Sequence, residues 1–151
     1  MHFSDVVTLN APPTTIWLLL EDAQNLVSCV PGLDQFEVLD SNKGFRGTVS
    51  LPFGASGFQL PAQVEWVEQQ EPYWGKLRAA AWLSGQEIVG TGIFELEEMG
   101  GGVTQLSWSA TVEAPPALGE NRFLAQLVHN FAVRFVKNFF SCLQLQIASQ
   151  V

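Results

Sequence analysis

The chain has 151 residues, of which 47% are hydrophobic and only 15% charged, with a net charge of −8. That length suits a single domain over residues 1–151 that can bury a full core without cross-links. The negative charge repels a phosphate backbone and disfavours an anionic membrane surface, which argues against nucleic acid as a partner.

No apolar run reaches the roughly 18 residues needed to cross a bilayer, so no transmembrane segment is expected. The opening Met1-His2-Phe3-Ser4-Asp5 has neither a basic nor an apolar region, and no signal peptide is expected. Cys29 and Cys142 lie far apart without metal spacing and read as free buried thiols in a reducing cytoplasm.

Phe3 to Leu9 reads as a first strand, ended by Asn10-Ala11-Pro12-Pro13. Pro13 suits the first turn of a short helix, Thr14 to Glu21, whose Ile16, Trp17 and Leu20 share a face. Asp22 can cap a second short helix, Ala23 to Cys29, which Val30-Pro31-Gly32 stops. Leu33 to Leu39 is a strand, and Ser41-Asn42-Lys43-Gly44 a turn. Phe45, Val49, Leu51 and Phe53 alternate with Arg46, Thr48 and Ser50, the pattern of a half-buried strand. Gly54-Ala55-Ser56-Gly57 turns the chain into Phe58 to Glu68, where Pro61 is tolerated only if its missing N–H faces an edge or bulge. Gln70-Glu71-Pro72 is another turn. Tyr73 to Leu83, Glu87 to Glu97 and Val103 to Glu113 complete the strands, joined as hairpins at Ser84-Gly85 and Met99-Gly100-Gly101-Gly102.

After the Pro115-Pro116 break a helix starts between Leu118 and Glu120 and runs to Ile147. At about 100° per residue, Leu124, Leu127, Val128, Phe131, Phe135, Phe139, Cys142 and Leu145 fall on one face. Ala132, Val136, Phe140, Leu143 and Ile147 widen that face sideways. The apolar arc spans roughly 200°, twice the stripe of an ordinary surface helix, so the helix must be gripped from more than one side.

One strand, two short helices, six strands and one long helix make an α+β domain. Its seven-stranded antiparallel sheet curves around the last helix. Alternation turns Gly75, Leu77, Ala79 and Ala81 toward the helix, with Ile88, Gly90, Gly92, Phe94 and Leu96 from the next strand. Leu106, Trp108, Ala110 and Val112 follow from the last. The middle of the sheet therefore offers Gly and Ala to a helix rich in Phe. Small residues there leave either a tight helix contact or a void, and an apolar void with few polar groups is the usual form of a ligand site.

Two segments resemble a known family. Leu26-Val27-Ser28-Cys29-Val30-Pro31-Gly32-Leu33 is similar to the signature after the second short helix of the carbon monoxide dehydrogenase G-subunit family. Phe94-Glu95-Leu96-Glu97-Glu98, the Gly run and Val103-Thr104-Gln105-Leu106 resemble that family's last hairpin. The resemblance covers nearly the whole chain and implies the helix-grip fold of the START/polyketide-cyclase/Bet v 1-like superfamily. It implies an apolar cavity between sheet and C-terminal helix, and a lipophilic ligand such as a lipid or an isoprenoid quinone. It also implies an accessory role beside a molybdenum hydroxylase or hydrogenase. Ala79-Ala80-Ala81-Trp82-Leu83 departs from the family's Gly-rich inward run, and Pro61 stands where a small residue is usual. Longer members carry a C-terminal tail for membrane recruitment, which a chain stopping at Val151 is not expected to share.

The expected ligand-binding residues are Leu77, Ala79, Phe94, Trp108, Phe131, Phe135, Asn138 and Phe139. Asn138 falls near the centre of the expected apolar arc, seven residues after Phe131 and four before Cys142. A buried amide needs partners, so Asn138 either bonds a strand backbone or water, or holds a ligand carbonyl. No catalytic motif and no His/Cys metal pattern stands out, and no cofactor is expected. His129, at the border of the arc, reads as a satisfied boundary residue rather than a base. The scarcity of ionisable groups inside favours a non-catalytic binder or carrier. A cyclase/dehydrase-type enzyme, which the superfamily also contains, and an interaction module with a filled core are the alternatives.

Overall fold

A computed structural model describes residues 1–30, 32–39, 43–51, 58–83, 85–113 and 122–149. The elements run β1 (His2–Leu9), α1 (Pro13–Glu21), α2 (Ala23–Ser28), β2 (Leu33–Val38), β3 (Gly44–Leu51) and β4 (Phe58–Gln70). Then come β5 (Trp74–Leu83), β6 (Gln86–Gly100), β7 (Val103–Glu113) and α3 (Arg122–Ala148). The seven strands form one sheet in the order β1-β7-β6-β5-β4-β3-β2. Every neighbouring pair is antiparallel. The chain thus adopts the expected helix-grip arrangement. The expected start of α3 and the turn Gly54-Ala55-Ser56-Gly57 lie outside the described residues.

Local chemistry fixes the joints. The Pro12 carbonyl accepts from Thr15 N at 3.1 Å and Ile16 N at 3.2 Å, which starts α1 with Pro13 in its first turn. Asp22 Oδ1 accepts from Gln24 N at 3.0 Å and caps α2. Thr104, fully buried, donates to Ala11 O at 2.6 Å and pins the β1–α1 joint to β7. Gly100, Gly101 and Gly102 all take positive φ, which closes the β6–β7 hairpin where other residues would be strained. The β4–β5 ladder begins at Ala62–Ala81, so Pro61 sits just beyond it, where β4 pairs with β3 alone. That is the local edge a strand proline requires.

The inner face of the sheet carries the expected residues in register. Leu77 lies opposite Gly92, Ala79 opposite Gly90 and Ala81 opposite Ile88. Gly92 is opposite Ala110, Phe94 opposite Trp108 and Leu96 opposite Leu106. The tightly packed core gathers at the α1–α2 end. Leu9, Ile16, Trp17 and Leu20 join Leu96 and Leu106 from the sheet, and Phe140, Leu143 and Ile147 from α3.

Two expectations are corrected. The buried stripe of α3 runs through Phe140, Leu143 and Ile147, with Val136 beside it, while Val133 and Leu145 are exposed, Leu145 by 73%. From Val136 onward, the residues expected on the flank of the arc are thus the central ones. Cys29 and Cys142 are not free thiols: they form a disulfide across a sequence separation of 113. The pairing ties the C-terminal cap of α2 to α3 and removes the thiol argument for a reducing compartment. Among the described residues no helix is long and apolar enough to cross a membrane.

Candidate functional site

An aromatic belt crosses the interior from α1 to α3. Trp17 meets Trp66 at 5.5 Å between ring centroids, and Trp66 meets Phe94 at 6.3 Å. Phe94 and Trp108 are ladder partners on the inner face. Trp108 stacks on Phe140 at 6.1 Å, and Phe139 stands edge-on to Phe140 at 5.4 Å. On one side of the belt lies the packed core.

On the other side, across β5 to β7, the face is small and only half-buried: Ala79, Ala81, Gly90, Gly92 and Ala110. A Cβ built on Gly90 meets Thr111 O at 3.7 Å and Val112 Cγ2 at 3.8 Å, and one on Gly92 meets Ser109 O at 3.9 Å. All three atoms belong to β7; among the described residues none belongs to α3. The described side chains of the helix therefore leave these glycines untouched. Phe3 of β1, opposite Ala110, meets His129 at 5.4 Å between centroids.

Gly75 contrasts with that floor. A Cβ there would collide with Trp66 Cζ3 and lie 2.9 Å from Trp17 Cη2. Its missing side chain is what lets two indoles close the belt. The space above this inner-face glycine is therefore filled.

Of the expected site residues, Leu77, Ala79, Phe94 and Trp108 share the inner face. Phe135 and Phe139 are half-buried on α3, Phe139 edge-on to Phe140. The side chain of Phe131 lies outside the described residues. Asn138 is exposed, against the expectation of burial. The rotation of α3 carries it to the outer side, and the argument for holding a ligand oxygen there falls with its burial. Sequence reasoning does not single out Phe140 or Trp66. Helical spacing puts Phe140 at the flank of the arc, and the strand alternation of Val64 and Trp66 is the signal that points to the second.

Polar chemistry clusters elsewhere. Trp17 Nε1 donates to Glu21 Oε2 at 3.2 Å, and Lys43 Nζ donates to Gln69 Oε1 at 2.8 Å. Burial pushes the Glu21 carboxyl above its ordinary value, and a hydrogen bond with Glu71 and its charge push the same way. Lys43 and the Trp17 N–H act in the opposite direction. This group sits at the end of α1, not on the small-residue floor. Among the described residues no group of His, Cys, Asp or Glu could hold a metal ion. A separate open groove of about 490 Å³ lies on the outer face of the sheet, against Arg46, Thr48, Pro61, Gln63 and Trp82. None of the expected site residues lines it.

The model of the carbon monoxide dehydrogenase CoxG family matches residues 6–148. No functionally curated protein matches the chain. Among solved structures, a conserved protein from Geobacillus kaustophilus superimposes with a TM-score of 0.84 at 19% identity, over 99% of this chain and 96% of that one. A START superfamily protein from Mycobacterium smegmatis gives 0.69 at 13% identity, over 99% of each chain. The protein Ms6760 from the same organism gives 0.71 at 16% identity, over 99% and 92%. Likenesses at these identities carry the fold.

Proposed function

The chain belongs to the carbon monoxide dehydrogenase CoxG family, and from that premise we propose that it binds a lipophilic small molecule between the sheet and α3. A lipid or an isoprenoid quinone is the candidate ligand, held or carried for a redox enzyme of the molybdenum hydroxylase or hydrogenase kind. The START-like fold supports a ligand-binding role in general. The observation that carries this reading is the half-buried floor of small residues, Ala79, Gly90, Gly92 and Ala110, set in register across β5 to β7 on the inner face. Ligand sites are concave, mostly apolar and given direction by few polar groups. Leu77, Ala79, Phe94, Trp108, Phe135 and Phe139 are the proposed lining.

The test combines lipid extraction and native mass spectrometry of protein from its own host with the variant Ala79→Phe. The expected result is a bound lipophile in the natural protein and none in Ala79→Phe, at an unchanged melting temperature. A filled interior gives the reverse: no lipophile, and a loss of about 1–3 kcal/mol on forcing a phenyl ring into a packed space.

A further inference from the structure

We propose that the indole N–H of Trp66 is the polar handle of this site, the donor that receives a carbonyl oxygen of the bound lipophile. The proposal rests on the ligand-binding reading above and assigns its specificity to one atom.

Trp66 is 8% exposed, and its Nε1 is buried without a hydrogen-bond partner. Buried donors are nearly always paired, so an unpaired one needs an explanation. Two other side-chain atoms share that state among the described residues, Gln69 Nε2 and Gln146 Oε1. Each belongs to an amide whose other end is engaged, Gln69 with Lys43 and Gln146 with Ser28 Oγ at 2.9 Å. The N–H is the only polar atom of an indole, so Trp66 is wholly unsatisfied. The neighbouring Trp17 has its own N–H on Glu21.

Position adds the second argument. Trp66 is the ladder partner of Leu77, and Leu77 is the partner of Gly92, so one proposed lining residue stands between Trp66 and the small-residue floor. Its Cζ3–Cη2 edge lies over Gly75. The nitrogen belongs to the five-membered ring and so lies off that contact. The ring neighbours Trp17 at 5.5 Å and Phe94 at 6.3 Å between centroids, tilted to both rather than stacked. Because the nitrogen is closed off in this structure, an acceptor reaches it only as the indole turns toward the floor. Binding thus moves the ring as well as pairing it.

The probes are a 1,4-naphthoquinone with one prenyl chain, the naphthalene hydrocarbon with the same chain, and a prenyl ester without the ring. In the wild-type protein the naphthoquinone should move the Trp66 indole proton downfield and slow its exchange, and the hydrocarbon should not. Trp66→Phe should weaken the naphthoquinone about threefold to tenfold, the range of one net hydrogen bond, and leave the hydrocarbon unchanged. The same response to the ester also supports the handle and identifies the carbonyl as that of an ester. If both ring compounds bind but the indole proton stays put, or Trp66→Phe weakens them equally, Trp66 is a packing residue. The handle is then overturned while the ligand site stands. If none of the three probes binds the wild-type protein, the ligand-binding reading fails and the handle with it. The spectroscopic arm needs no variant, so a poorly folded Trp66→Phe does not block the decision.

Discussion

Gly75 and Gly92 lie on one face of one sheet, and a methyl group added to each should separate packing from space. At Gly75 the methyl meets two indole rings held by the belt. Gly75→Ala should cost about 1–3 kcal/mol, the usual penalty of overpacking. At Gly92 the nearest atom among the described residues is 3.9 Å from that methyl. Gly92→Ala should stay within about 0.5 kcal/mol of the wild type, and paired urea unfolding curves decide it. Glu21 gives a pH-dependent case. Its folded carboxyl titrates above the ordinary 4.5, so the native state holds a proton that the unfolded chain has already released. Stability therefore falls as pH rises from the ordinary value through the raised one, and the penalty is complete above it. Glu21→Gln keeps an oxygen for the Trp17 N–H and has no charge to desolvate. It should melt above the wild type at neutral pH, and the difference should shrink on acidification toward the ordinary carboxylate range. An unchanged gap across that range would assign the effect to packing instead.

At the scale of the element, α3 shows what helical spacing can and cannot specify. Its 3.6-residue period and its lack of interior Gly or Pro make the helix legible from sequence. An arc of roughly 200° has no unique centre, however, and periodicity alone cannot say which side the sheet takes. The sheet takes Phe140, Leu143 and Ile147, and that rotation moves Leu145 and Asn138 outward. The cause lies in tertiary partners that local sequence does not name. Trp108 stacks on Phe140, Gln144 Nε2 donates to Thr8 O at 2.9 Å, and Gln146 reaches Ser28. The Cys29–Cys142 disulfide belongs to the same joint. Cross-linking residues so far apart in sequence stabilises by about 2–4 kcal/mol, mainly by restricting the unfolded chain. The Cys29→Ser/Cys142→Ser protein should lose that amount in guanidinium unfolding, and the wild type in excess dithiothreitol should fall to the same midpoint. A wild type indifferent to dithiothreitol would mean that the two thiols contribute only as packed groups.

For the whole molecule, the strand order and the inward faces of β5, β6 and β7 follow from alternation because each hairpin fixes its own register. The division of the interior does not follow. Whether Ala79 and Gly90 touch a helix depends on how far Trp66, Trp108 and Phe140 hold α3 off the sheet, a sum of side-chain sizes from distant segments. If the proposed site lies on the small-residue floor, those rings separate it from the packed end, and the two ends should respond differently to ligand. Hydrogen exchange with and without the prenylated naphthoquinone tests this directly. Slower exchange is expected in Ala79–Ala81 and Gly90–Gly92, and in the half of α3 that passes over them. Little change is expected in α1, where Ile16 and Leu20 are already fully buried, or around Leu143 and Ile147. Local opening is rarest where apolar burial is complete, so a ligand has little to add at the packed end. Protection confined to Arg46, Thr48 and Gln63 would instead place the probe in the outer groove. The floor beneath α3 would then be a gap in packing without a binding role.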